Sequence, residues 1–446
     1  MSHLLALHGR LLCWIALSLG GMAPQAAAQL LHDPATVLVP PEPPITTSDS
    51  VFNRGNQVPV ADRMLPDFTA QGLKFGNFEL FPGLAIGSIA TSNVLANNDN
   101  RRGDLALVVR PEATLRTSGG PYRFSAYARG DFRRYANNGS ENTEEGLVGA
   151  DGAVAIGPLS SLSTGASFGS FILPRFAADS PVNAAKPIEY TALATYVGGT
   201  IEGASTRVIF RAEANQLRFR DTPDRIGGTL FTRDRDRSRL DGLLRVERAV
   251  NSSVSVYAAG TLNKVDFRQR LPGGLERDSS GFGAYVGTNF DLTDLMHGDV
   301  RVGYIRQNFE VPGVRAISGL GLLATITYFP TQLLTVTARA ESSVQDSGVP
   351  GTTGVLRRGG SLRGDYELRR YIIASFEGGY FHDSYRGQDR RDKLPFAEAS
   401  ATYLSRGHWN ARLGYRYLAR HCSCDAATRI QDFDDHRLTA TLTFQY

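Results

Sequence analysis

The chain has 446 residues, 48 Lys plus Arg against 44 Asp plus Glu, and a formal net charge of +4. Beyond residue 29 no stretch approaches about 18 uninterrupted apolar residues, which excludes a protein that crosses a membrane with helices. Charged residues make up 21 %, an ordinary figure that a transmembrane β-barrel shares with a soluble all-β protein, because lipid-facing apolar residues alternate with polar lumen residues along each strand.

Residues 1–28 read as a signal peptide. Arg10 supplies the positive start, Leu11–Leu19 is the apolar run, and Ala26, Ala27 and Ala28 are the small residues before a cut ahead of Gln29. The run is shorter than the ~20 residues a spanning helix needs. Cys13 lies too early, and lacks the preceding small residue, to be a lipoprotein anchor. Residues 29–75 differ from the rest. Pro40, Pro41, Pro43 and Pro44, followed by the polar run 45–50, predict an extended or disordered periplasmic lead.

From Gly76 the chain alternates. Leu105, Leu107, Val109, Ala113 and Leu115 oppose Asp104, Arg110, Glu112, Thr114 and Arg116; Tyr122, Phe124, Ala126, Ala128 and Phe132 oppose Arg123, Ser125, Arg129, Asp131 and Arg133. The last segment sets Leu438, Ala440, Leu442, Phe444 and Tyr446 against Arg437, Thr439, Thr441, Thr443 and Gln445. A strand puts the two sets on opposite faces, one suited to lipid and the other to a wet lumen. Alternation alone does not separate this arrangement from a soluble sandwich; length and punctuation do.

Short turns are predicted near 118–121, 157–160, 202–205, 250–252, 293–296, 329–331, 368–370 and 405–408. Between them lie longer polar loops, for example 137–140, 221–236, 269–279, 345–354 and 421–435, with the first near 96–102. Eight turns and nine loops join 18 strands, with 16 open as the alternative. Short turns on one rim and long loops on the other are the organisation of outer-membrane barrels, with the turns and both termini periplasmic. The prediction is therefore an all-β, closed antiparallel transmembrane barrel over 76–446, wide enough at this strand number to leave an aqueous channel.

The segments Leu107–Leu115, Tyr122–Tyr135 and Asn138–Asn142 resemble the family of outer-membrane barrels called "putative β-barrel porin 2". Thr91–Leu95 is similar to that family's opening loop, although the family more often carries an Asp-Asn pair there. The resemblance runs from about Gly76 to Tyr446. It implies a barrel without a catalytic motif, and it suggests polysaccharide secretion, because members often accompany exopolysaccharide synthesis and export. Phe444 and Tyr446 look like the terminal signal read by barrel-assembly machinery.

The alternation assigns Arg110, Arg116, Arg123, Arg129, Arg133, Arg207, Arg211, Arg339, Arg363, Arg412 and Arg416 to the lumen, against Glu112, Asp131, Glu213, Glu341, Asp365 and Glu367. Excess guanidinium in a low-dielectric tube focuses positive potential and lowers the barrier for anions. Arginine also pairs bidentately with carboxylates, so a ladder of them suits an acidic polysaccharide. The same residues equally read as cross-strand pairs bracing the wall, and a GC-rich genome accounts for an Arg-rich composition.

Other chemistry finds little support. His297, His382, His408, His421 and His436 sit in no Ser- or Cys-centred nucleophile motif, and no phosphate loop is present. Cys422 and Cys424, beside His421, match no strong zinc spacing and read as loop thiols able to oxidise. Arg233–Arg237 alternates in charge and reads as a solvated loop rather than a nucleic-acid site. No enzyme, cofactor, metal or nucleic-acid partner is expected. The expected partners are outer-membrane lipid, barrel-assembly machinery and periplasmic components of a polysaccharide export system. The expected function is a passive conduit for secreted, anionic polysaccharide; the alternatives are a general diffusion porin and a plugged structural or docking barrel.

Overall fold

The computed structural model describes residues 58–63, 65–117, 122–157, 159–269, 277–292, 295–310, 314–349, 351–406, 408–424 and 432–446. The expected signal peptide and residues 29–57 of the expected lead lie outside these, as do the turn at 118–121, residues 270–276 of the loop 269–279 and residues 425–431 of the loop 421–435.

Eighteen antiparallel strands close into a barrel. In chain order they are β1 Phe78–Thr91, β2 Asp104–Thr117, β3 Tyr122–Tyr135, β4 Thr143–Ala155, β5 Ser161–Leu173 and β6 Ile188–Glu202. They continue as β7 Thr206–Phe219, β8 Arg237–Ala249, β9 Val254–Phe267, β10 Ser279–Leu292, β11 Met296–Phe309 and β12 Ile317–Thr331. The last six are β13 Leu334–Gln345, β14 Gly354–Arg369, β15 Ile372–Arg386, β16 Arg390–Leu404, β17 Trp409–Cys424 and β18 Phe433–Gln445. Each pairs with its chain neighbours, and β18 returns to β1 with Gln445 opposite Gly83 and Arg437 opposite Thr91. Closure leaves no strand edge, which hydrocarbon requires because it offers no water to an unpaired N–H or C=O. The count of 18 agrees with the turn-and-loop rhythm, and the 16-strand alternative falls.

Burial separates the two faces. Leu107 is 54 % exposed, Val286 62 % and Leu262 67 %, while Asp131, Arg245, Glu247 and Asp392 are fully buried. A soluble sandwich would show the reverse. The polar set points inward on every strand, and the apolar set forms an outer wall fit for lipid.

Eight short connections lie on one rim, hereafter the turn rim, with both ends of the barrel; nine connections lie on the other, the loop rim. The sequence reading put all of 29–75 in an extended or disordered lead. Its last part is instead ordered: Val60–Asp62 and Pro66–Phe68 form 3-10 turns, and Leu73–Phe75 pairs with the start of β1. The reason is apolar content. Val60 is buried against Ile373 and Leu404 inside the turn rim, with Leu65 and Phe68 packed beside it. The Val60 N–H donates to Thr335 Oγ1 at 2.9 Å, and Arg63 pairs with Glu367 at 2.9 Å. The Pro-rich composition that marks the lead ends before this segment.

At the barrel's outer mid-height a charge meets hydrocarbon, whereas at the rim it meets headgroups. Val286→Arg should lower the unfolding free energy by roughly 2–4 kcal/mol in urea titrations from lipid vesicles, and Ser318→Arg, near the loop rim, by about 0–1 kcal/mol. Equal losses at the two positions would contradict the lipid-facing assignment.

Candidate functional site

The lumen wall is built from one repeated device. An arginine and a carboxylate two residues apart on one strand point to the same face, because side-chain direction has period two. Arg245 and Glu247 meet at 3.0 Å, Arg239 and Asp241 at 2.7 Å, Arg363 and Asp365 at 2.9 Å, and Arg390 and Asp392 at 2.5 Å. Asp131 with Arg133 (2.9 Å) and Asp435 with Arg437 (2.5 Å) reverse the order. Neighbouring strands then link the pairs. Arg110 reaches Asp131 at 2.5 Å, Arg412 and Arg416 share Glu398 at 3.0 and 2.5 Å, and Arg245 reaches past its neighbours to Asp299, three strands away, at 3.0 Å. Tyrosines back the network: Tyr257 donates to Asp299 at 2.6 Å, and the Arg245 guanidinium lies 3.2 Å from the Tyr257 ring centroid.

All eleven arginines predicted for the lumen lie on the inward face. Arg211 bonds Glu213 and stacks 4.2 Å over Tyr196. Arg207 bonds Glu202, Arg116 sits over Phe81 within reach of Glu79, and Arg129 lies opposite Glu112, 5.3 Å from the Tyr127 ring. Arg123 and Arg339 occupy inward positions of β3 and β13. The predicted excess of cations does not hold. Glu145, Asp151, Asp241, Glu247, Glu377, Asp383, Asp392 and Asp435 are also buried inside, and Glu79, Glu202, Asp299 and Glu398 face inward onto arginines, so that the carboxylates match the inward guanidiniums and leave a wall of paired charge. The sequence reading missed these acids together with Arg239, Arg245, Arg301, Arg357, Arg390, Arg420 and Arg437. The signal that would have found most of them is Arg-x-Asp/Glu, in either order, within an alternating segment.

A loop crosses the loop-rim end of the lumen. Residues 174–187, between β5 and β6, fold inward to the opposite wall, where Phe176 joins a buried cluster with Phe381, Leu394, Phe396, Leu418 and Phe433 of β15–β18. Arg420 donates to the Phe176 carbonyl, Arg390 donates to the Ala178 carbonyl at 3.4 Å, and the Arg437 guanidinium lies 5.1 Å from the Phe176 ring centroid. Ala178 packs on Val349, Val355 and Tyr385. A second inward loop, 346–353, is held by Asp346 against Arg239 at 3.1 Å. With Val60 and Arg63 at the turn rim, both ends of the lumen carry ordered segments that lie across it.

Among the described residues no His, Cys, Asp or Glu side chains gather as a metal site. Cys422 and Cys424, expected as thiols able to oxidise, are joined as a disulfide at the loop-rim end of β17. Phe444 is exposed on the outer wall, and Tyr446 stacks on His408 at 5.2 Å.

A family model described as Putative beta-barrel porin 2 matches residues 65–446. No curated protein matches the chain. Among solved structures, the apoprotein form of the FrpB iron transporter (F5-1 variant) from Neisseria meningitidis aligns with 84 % of this chain and 82 % of its own at 9 % identity, with a TM-score of 0.47. The outer membrane protein OpdK from Pseudomonas aeruginosa aligns with 82 % of this chain and 99 % of its own at 14 % identity and a TM-score of 0.43. OccK2 (OpdF) from the same organism aligns with 82 % and 98 % at 11 % identity and a TM-score of 0.44.

Asp131 is the carboxylate on which Arg110 and Arg133 converge, so Asp131→Ala leaves two buried guanidiniums without it. A loss of about 3–5 kcal/mol is expected in urea unfolding, against a much smaller loss for Arg116→Ala at the turn rim, whose pairing is longer and partly exposed. Comparable losses for the two would show that the buried network does not brace the wall.

Proposed function

The chain belongs to the Putative beta-barrel porin 2 family, and on that premise we propose that this outer-membrane barrel is a passive channel for hydroxyl-rich, saccharide-type solutes. The rim with both termini then faces the periplasm, since its connections are the short ones. The observation that carries the reading is the paired lumen wall. A single-sign lining would concentrate ions; matched guanidinium–carboxylate pairs offer fixed N–H donors and oxygen acceptors in alternation with little net field. Sugar hydroxyls both donate and accept, and they suit such a wall along its whole height. An exported polysaccharide, threading as an extended chain, is the longer form of the same chemistry. The preference for anionic chains expected from the sequence loses its basis once the inward carboxylates are counted. Loop 174–187 is the gate in this reading, because it runs from β5 and β6 to the buried cluster on β15–β18.

The test is single-channel conductance of the refolded full chain in a planar bilayer. A pore of weak charge selectivity, blocked by neutral and acidic oligosaccharides alike, is the expected result. A barrel that folds, shown by its heat-modifiable gel mobility, yet stays silent would overturn the channel reading in favour of a structural or docking role. Two variants refine it. Glu398→Gln uncovers Arg412 and Arg416 and should move the reversal potential toward anion selectivity, whereas Arg412→Gln should move it toward cations. Phe176→Gly frees the inward loop from its cluster and should raise conductance or the frequency of open events; unchanged conductance would mean that the loop is no gate.

A further inference from the structure

The outer wall of β14–β17 departs from the apolar pattern in one place. At the loop-rim end, Arg358, His382, Lys393 and His421 stand directly opposite one another across four successive strands: Arg358 opposite His382, His382 opposite Lys393, and Lys393 opposite His421. The row thus holds two cations, Arg358 and Lys393, and two imidazoles, and none of the four stands opposite a carboxylate, so the row suits an anion. Arg386 and Arg391 lie beside the row, exposed like Arg358, Lys393 and His421. Elsewhere on the outer face Arg134 pairs with Glu144, Lys264 with Asp266 and His436 with Asp434, and no comparable row of basic residues crosses four strands among the described residues.

A groove opens at the same place. Its volume is about 470 Å³, and its lining includes Arg358, His382, Arg386 and Arg391 together with the apolar Ile317 and Leu356; one carboxylate, Asp389, lies at its edge. The wall is interrupted here. Pairing between β12 and β13 stops at Leu322 and Ser342, while β12 runs on to Ile317 and β13 to Gln345. Toward the mid-plane the row gives way to Tyr380 and then to the apolar belt, with Tyr380 46 % exposed, the order of groups found at a membrane interface.

We propose that this groove binds a phosphorylated lipid headgroup of the leaflet at the loop rim, one that carries two phosphates. The row spans three strand spacings, roughly 14 Å at ~4.8 Å each, which is too wide for one phosphate and suits two. The apolar Leu356 receives the start of the acyl region, and clustered cations beside a membrane surface recognise anionic headgroups. The choice of lipid rests on the orientation proposed above, in which the loop rim faces outward.

The test is native mass spectrometry of the folded full chain in detergent with diphosphorylated lipid A, its dephosphorylated counterpart and phosphatidylglycerol. The diphosphorylated lipid should stay bound, and the dephosphorylated form should not. The triple variant Arg358→Gln, Arg391→Gln, Lys393→Gln should weaken retention on the order of tenfold or more, while Arg134→Gln, Arg218→Gln, Arg248→Gln, at other outer positions, should leave it unchanged. If the triple variant lacks the gel mobility of a folded barrel, Arg358→Gln alone, which lines the groove, carries the comparison. Equal retention by the two triple variants, or displacement by millimolar inorganic phosphate, would overturn the proposal. Preference for phosphatidylglycerol would overturn it too, and would count against the orientation without touching the conductance result.

Discussion

The constraint on which everything else rests is the lack of water in the hydrocarbon layer. An unpaired backbone N–H or C=O there has no substitute partner, so a sheet must meet itself. The meeting of β18 with β1, Gln445 opposite Gly83 through Arg437 opposite Thr91, discharges that obligation. Once the sheet is closed, its pleat has two unlike sides, and every polar side chain not at a rim must go inside. The lumen therefore inherits nearly all the charge of the strands. That charge is buried, and an unpaired buried charge is costly, so the inward face must supply both signs close together. The Arg-x-Asp/Glu device does so within one strand, independent of how its neighbours are placed.

Much of the fold was legible because it depends on local rules. Period-two alternation, turn residues at regular intervals and longer polar connections between them suffice to count strands, and the pleat then assigns a face to each arginine. What was not legible depends on partners distant in sequence. Glu398 serves Arg412 and Arg416 from the next strand, and Asp299 serves Arg245 from three strands away. Asp241, Glu247 and Asp392 obey the same alternation, but in segments where apolar and polar residues alternate less cleanly, and without them a balanced wall reads as an excess of cations.

The inward segments were hidden for a different reason. Residues 174–187 carry the Pro and Ala of an ordinary connection, and only Phe176 hints at burial; its receiving cluster is assembled from β15, β16, β17 and β18. The same holds for Val60, whose neighbours Ile373 and Leu404 are over three hundred residues away. A composition reading sees proline and polarity and infers an extended lead, because the apolar contacts that order its end belong to the barrel's interior.

The two segments share an anchorage. The segment at the turn rim holds to Thr335, Glu367, Ile373 and Leu404, on β13–β16. Loop 174–187 holds to β15–β18 at the other end. Both of these closures lean on β13–β18, while the second inward loop, 346–353, reaches across to Arg239 on β8. In the proposed channel a solute would need the inner ends of these loops to yield rather than the wall. The division is physically sensible. The wall's pairs are buried and mutually constrained, so they hold their geometry. Loop 174–187 is held near its own strands by the buried Arg175–Glu141 pair and by Asn183 on Asp224, whereas its far end rests on Phe176, Ala178 and hydrogen bonds to their carbonyls, so the far end is the part able to open without disturbing the sheet.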